Sequence, residues 1–120
     1  LVESIVLCCF SITGPRPALV SLKNDIVKTI DSAAKQSKKW YNYISHLDLT
    51  LDEGSMTTTF KDKDNRAFCF LTIVNEELVI TIMGGAENKQ TALAASAAKG
   101  LIKSCISVSG LACSEDNKQI

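Results

Sequence analysis

The sequence has little that indicates a charged ligand or a metal. Lys plus Arg number 13 and Asp plus Glu number 13, so the formal net charge is zero. A protein that grips phosphate backbones usually carries a basic excess. His46 is the only histidine, and the five cysteines form no CxxC pair, so zinc lacks its usual ligand spacing. We therefore predict no nucleic-acid partner, no metal and no cofactor.

Neither acidic stretch of the chain predicts a metal site. The stretch from residue 62 opens like a calcium loop, but Arg66 and Ala67 stand where an oxygen ligand and a glycine are needed. His46, Asp48 and Asp52 share one face of a predicted strand. Charges in that pattern are typical of a solvated edge strand, where they block pairing with other chains. We favour the edge strand over a metal or acid–base site.

Long apolar runs and paired cysteines are also absent. No run approaches the about 20 residues that cross a bilayer, and the apolar run at 4–12 lacks the basic start of a signal peptide. An odd number of cysteines without paired spacing is typical of free thiols in a reducing compartment. We predict a cytoplasmic protein without membrane insertion, with one domain over 1–113 and a flexible polar tail at 114–120.

The apolar periodicity predicts six strands and two long helices in the order β-β-α-β-β-β-β-α. The Gly14-Pro15-Arg16-Pro17 segment is predicted to be a turn between the first two strands. The second strand is short, and its residues are alternatively the start of the first helix. The predicted strands are 3–13, 18–22, 47–51, 56–60, 67–74 and 78–83, and the helices run from Ser21 or Asn24 to about Ile44 and from about Glu87 to Cys105 or Val108.

One apolar stripe is predicted to face the core on each helix. The stripes are Leu22, Ile26 and Ile30 with their continuation toward Ile44 on the first helix, and Leu93, Ala97, Leu101, Cys105 and Val108 on the second.

Three of the predicted strands are apolar on both faces, which predicts the architecture. They are the strands at 3–13, 67–74 and 78–83, and such strands belong in the middle of a sheet. The predicted fold is α+β, with a mostly antiparallel, five- to six-stranded sheet in a sandwich-like arrangement. Two helices are few for both faces of such a sheet. Either one helix lies on each face, or both share one face and a partner covers the other.

This order of elements resembles the roadblock and longin domains of the profilin-like group. The segments that carry the resemblance are Ser4–Ile12 and Met56–Met83, the latter followed by a helix. The resemblance implies an antiparallel sheet in which the first strand lies beside the last, between the meander and the second strand. It also implies a trafficking or small-GTPase scaffold subunit.

The segment around Trp40 is the first candidate binding site. Trp40 and Tyr43 stand beside Lys38 and Lys39, and off the apolar stripe of the predicted helix. Exposed tryptophan and tyrosine on a rigid element are common anchors for a protein partner. The same side chains would alternatively cover the end of the sheet.

The second candidate is an anion site at the predicted strand-to-helix turn. Gly84 and Gly85 precede a helix whose free amides can hold a phosphate, and Lys89 can neutralise it. Glu87 would repel an anion, and the spacing matches no phosphate-binding fingerprint. A tight turn that binds nothing explains the same glycines.

No nucleophile–base pair accompanies these residues, so we predict a non-enzymatic protein–protein interaction or adaptor module. The alternative is a small ligand- or phosphate-binding protein or enzyme that uses the Gly84-Gly85 turn. Because two helices leave part of the sheet uncovered, we also predict pairing with a second copy or with a similar fold. Such pairing would use the helix face around Trp40 or the strand at 56–60 as an edge.

Overall fold

The computed structural model describes residues 4–36, 43–52, 55–62, 67–85 and 89–117. The α+β class, with an antiparallel sheet and two long helices, is confirmed. The order of elements is β-α-β-β-β-β-α-β, which differs from the predicted order at both ends of the chain. The elements are β1 (Ser4–Thr13), α1 (Arg16–Gln36), β2 (Tyr43–Asp52), β3 (Ser55–Asp62), β4 (Ala67–Val74), β5 (Glu77–Gly85), α2 (Lys89–Ser109) and β6 (Ala112–Asn117).

The six strands form one sheet in the order β2-β3-β4-β5-β1-β6, and every neighbouring pair is antiparallel. The three strands with two apolar faces, β4, β5 and β1, lie side by side inside the sheet, as predicted. The strand predicted at 56–60 is β3, which lies between β2 and β4. The hypothesis that it is an outer edge for pairing is therefore wrong, and the outer strands are β2 and β6.

The C-terminal strand β6 shows that the predicted flexible tail at 114–120 is wrong over residues 114–117, and residues 118–120 lie outside the described part of the chain. Strand β6 pairs with β1 from Thr13 opposite Ala112 to Cys8 opposite Asn117. Its sequence is polar and has no apolar alternation that would predict a strand. Backbone hydrogen bonds to β1 hold this segment in place instead.

The first helix begins earlier than predicted. The backbone N–H of Leu19 donates to the carbonyl of Pro15 at 3.1 Å, which is the first helical hydrogen bond. Proline is tolerated in the first turn because the N–H groups there have no intrahelical acceptor. The proline-rich segment therefore leads into α1 at Arg16. The predicted strand at 18–22 is wrong, the alternative that these residues belong to the start of the first helix is confirmed, and the helix begins before Ser21 and Asn24.

The first helix also ends earlier than predicted. The described helix ends at Gln36, and Tyr43–Asp52 is strand β2. The predicted continuation to Ile44 is therefore wrong from Tyr43 onward, and residues 37–42 lie outside the described part of the chain.

Both helices pack on the same face of the sheet. They contact each other, and each contacts β4 and β5. Of the two arrangements that the sequence left open, the structure therefore has the one in which both helices share a face. The core they form with the sheet contains Leu19, Leu22, Ile26 and Ile30 of α1, Ala98, Ile102 and Ile106 of α2, and Cys8, Phe10, Ile12, Phe60, Cys69, Leu71, Ile73, Leu78, Ile80 and Ile82 of the strands.

The buried stripe of α2 differs from the predicted one by one position. Ile102 and Ile106 are buried, whereas Val108 is 86% exposed. Leu101 and Cys105 are only partly buried at the side of the core. Two stripes of the same period lie next to each other on this helix, and the one with isoleucine buries more apolar area against the sheet.

Two glycines let β6 reach β1 after α2. Gly110 has φ +71°, a left-handed conformation that ends a helix and that glycine adopts without strain. A Cβ on Gly14 would lie 3.2 Å from Cδ2 of Leu111, so this glycine makes room for the residue before β6. The chain thus reverses within two residues and runs back along the edge of β1.

Candidate interaction surface

The face of the sheet opposite the helices is the first candidate. Side chains alternate across a strand, so every second residue of β1, β4 and β5 points away from α1 and α2. We call the six central residues of this surface the open face, and each of them is half-buried: Cys9, Ser11, Phe70, Thr72, Val79 and Thr81.

The strand register places these residues in two rows across the sheet. Cys9, Thr81 and Phe70 stand opposite one another in one row, and Ser11, Val79 and Thr72 do so in the next. Beyond the second row, Val74 is 43% exposed. Side chains on the helix-covered face are much less exposed to solvent. Ile80, the residue next to Val79, is 0% exposed.

The chemistry of the open face is apolar and hydroxylic rather than charged. Thr72 shares a hydrogen bond with Thr57, with 3.3 Å between their Oγ1 atoms. At the end of the surface, the Ser11 hydroxyl donates to Oε2 of Glu77 at 2.9 Å. Among the side chains that the structure describes on this face, Glu77 and Asp116 carry charge, and both lie at its margin. Such a surface suits a protein partner better than an anion.

The side chains predicted to bind a partner lie outside the part of the chain whose side chains the structure describes. Lys38, Lys39 and Trp40 are among the residues that the structure does not describe. Tyr43 begins β2, and its side chain is outside the described part. From the sequence, a face covered by a partner was one of two alternatives, inferred from the strands with two apolar faces and the shortage of helices, but none of the six residues of the open face was named as a binding residue.

Gly84 and Gly85, which were predicted to form an anion-binding turn, belong to a strand. Strand β5 continues beyond its predicted end, so that Gly84 and Gly85 pair with Ile5 and Ser4 of β1. Lys89 is the first residue of α2, and its side chain lies outside the description. The two glycines are therefore strand residues.

A groove of about 500 Å³ between the two helices is the second surface feature. Leu101 and Val108 of α2 form its apolar side, and the charged side chains of Asp25 and Lys28 also line it. At its floor the Cys105 thiol donates to Oγ1 of Thr29 at 3.6 Å. Asp25 and Lys28, the charged side chains that line the groove, carry charges of opposite sign.

An ionic cluster ties β6 to α2. Glu115 lies 3.5 Å from Nζ of Lys99 and 3.3 Å from Nζ of Lys103. The Cys8 thiol of β1 points into the same cluster and donates to Oε2 of Glu115 at 3.9 Å. Burial, more than any neighbouring charge, raises the pKa of Cys8. The thiol is therefore protonated at neutral pH, and the cluster holds β6 in place rather than activating a nucleophile.

All five cysteines are free thiols, as predicted. Cys8 and Cys69 are buried, whereas Cys9 is only half-buried. Desolvation raises the pKa of Cys69 far above its ordinary value. Within the described residues, no group of three or more His, Cys, Asp and Glu side chains could hold a metal ion.

The described helices include none whose length and apolar character would let it span a membrane. Comparisons of the chain with known protein families, with curated proteins and with solved structures gave no match.

Proposed function

We propose that this protein is a non-enzymatic protein–protein interaction module that binds its partner on the open face. The observation that carries the proposal is that both helices cover one face of the sheet. On the other face Val79 and Phe70 are only half-buried and Val74 is exposed. Apolar side chains on central strands are normally covered, and a contiguous exposed group of them marks an interaction surface.

The shape and chemistry of this surface favour a protein over a small molecule. Small ligands bind in concave sites that enclose most of their surface, whereas the open face is one side of a sheet. Its hydroxyl groups on Ser11 and Thr72 offer hydrogen bonds between apolar neighbours, which is the usual composition of a protein interface. Use as an adaptor or scaffold subunit, in trafficking or beside a small GTPase, follows from the resemblance and belongs to the same proposal.

Site-specific cross-linking tests the proposal. A photoreactive residue is placed at Thr72 of the open face, and in a control protein at Ser107, an exposed residue of α2. Both proteins are irradiated in an extract of the source cell. We expect the Thr72 position to form a discrete protein adduct that the Ser107 position does not form. The adduct should disappear when Val79→Lys is added.

Two results would overturn the proposal. One is the absence of any protein adduct at Thr72, or the same adducts at Thr72 and Ser107. The other is a clear rise in melting temperature with inorganic phosphate, nucleotides or Mg²⁺ that persists in the Val79→Lys variant. That rise would support the ligand-binding alternative, because the stabilising site would then lie away from the open face.

A further inference from the structure

We propose that the partner of the open face is a second copy of this chain, packed face to face about a two-fold axis. This inference rests on the proposed function and commits it to one occupant. In a two-fold interface the same patch lies on both subunits, so the patch must complement itself. The open face meets this requirement in charge, in hydrogen bonding and in area.

The distribution of charge favours pairing with itself. Like charges that oppose each other across an interface are strongly unfavourable. The six residues of the open face carry no charged side chain. Glu77 lies at one end of the surface and Asp116 on the outer strand β6. Because the described charges on this face are both negative and marginal, nothing at its centre selects a partner of opposite charge.

Hydroxyl groups make the surface complementary to itself in hydrogen bonding. A serine or threonine hydroxyl both donates and accepts, so two identical groups can pair across a two-fold axis. Thr57 and Thr72 already form such a pair within one chain, at 3.3 Å. Packed sheets lie about 10 Å apart, with their strands about 30° from parallel. At that separation Val79 and Phe70 of one copy reach the side chains of the other.

The area of the surface is enough for a weak dimer. Strands are spaced about 4.8 Å apart and residues about 3.4 Å along a strand. The five strands from β3 to β6 in the order of the sheet, about five residues deep, present about 400 Å² from each copy. The total of about 800 Å² lies below the range of stable interfaces and within that of weak, transient ones. We therefore expect weak association that depends on protein concentration.

A matched pair of valine substitutions separates this surface from the groove between the helices. Val79→Lys places a cation at the centre of the open face, and Val108→Lys makes the same change on the exposed side of α2, at the groove. Sedimentation equilibrium of the full chain from 1 to 200 µM gives the dissociation constant of each protein. We expect the original chain to dimerise, Val79→Lys to raise the dissociation constant about tenfold or more, and Val108→Lys to leave it unchanged.

Three results would overturn the inference. These are a chain that stays monomeric up to 200 µM, a dimer lost in Val108→Lys and kept in Val79→Lys, and a dimer weakened equally by both variants. Circular dichroism confirms that each variant is folded, and Thr72→Arg replaces Val79→Lys if the latter does not fold. If the chain is monomeric and its Thr72 position still cross-links to a different protein, only the inference that the partner is a second copy is contradicted. The absence of every Thr72 adduct contradicts the proposed function as well.

Discussion

The unequal cover of the two faces of β5 predicts unequal effects of neighbouring substitutions. Ile80 is 0% exposed and stands between Phe10 of β1 and Leu71 of β4. Val79 is the next residue, and its side chain points to the open face, where it is half-buried. Shortening both side chains to alanine in separate variants compares the two faces at the same place in the same strand.

The expected loss at Ile80 follows from its burial. Removing the methyl and methylene groups of a buried isoleucine loses about 2.5 kcal/mol of transfer free energy. The cavity that remains adds about 1.5 kcal/mol, because rigid neighbours on both strands cannot collapse into it. We therefore expect Ile80→Ala to lower the free energy of unfolding by about 4 kcal/mol.

The expected loss at Val79 is much smaller. Its side chain is partly in water already, and water fills the space that the methyl groups leave, so no closed cavity forms. Transfer of the remaining covered area predicts a loss of about 0.5–1 kcal/mol for Val79→Ala. A few tenths of this loss reflect the lower preference of alanine for strands, which applies equally at Ile80.

Urea unfolding at about 1 µM protein measures both losses while the chain is mainly monomeric. The dependence of the free energy on urea should be the same for both variants, since a changed slope would indicate a change in compactness. Equal losses at Val79 and Ile80 under these conditions would refute the reasoning, because the open face would then be buried within a single chain. At about 100 µM the loss at Val79 should increase if the chain dimerises through this face.

Further predictions concern β6, the glycines and the thiols. Glu115→Gln should lower the free energy of unfolding by about 1 kcal/mol in low salt and by less in 1 M NaCl, since partly exposed ion pairs hold β6; an equal loss at both salt concentrations would contradict an ionic cause. In thermal melts, Gly100→Ala should stabilise α2 by about 0.5–1 kcal/mol, because nothing lies within 4 Å of the added Cβ. Gly110→Ala should lower the free energy of unfolding by about 1 kcal/mol, because Gly110 has φ +71°. Changes of the same sign in the two glycine variants would contradict this reasoning. Ellman's reagent should label the exposed Cys113 quickly and the buried Cys69 only on unfolding, and rapid labelling of Cys69 would contradict its burial. Because the pKa of Cys69 is raised from 9.0, stability should be intact below pH 9 and fall above it, by less in Cys69→Ala.

The interior strands and the body of each helix could be predicted from the sequence. The predicted strand at 67–74 coincides with β4, because both faces of that segment are apolar and polar segments flank it in the sequence. Leu22, Ile26 and Ile30 are buried at the spacing of a helix, as predicted. In these segments the local pattern of side chains and the environment in the fold agree.

The ends of the chain could not be predicted in the same way. Proline at residues 15 and 17 is compatible with both a turn and a first helical turn, and only the hydrogen bond from Leu19 distinguishes them. Strand β6 has no apolar face, and its order comes from the ladder to β1 and from the contacts of Glu115 with α2. The ladder to β1 joins residues about a hundred positions apart, so no window of sequence contains it.

The candidate surface shows the same division. From the sequence alone, β1, β4 and β5 were predicted to need cover on both faces and the helices to be too few. Only the tertiary structure decided that α1 and α2 share one face, which leaves Val79 and Phe70 only half-buried. The period of apolar residues determines which sides of an element avoid water. Which of two equally apolar faces the helices cover depends on packing between distant segments, and that information is not local to any stretch of the chain.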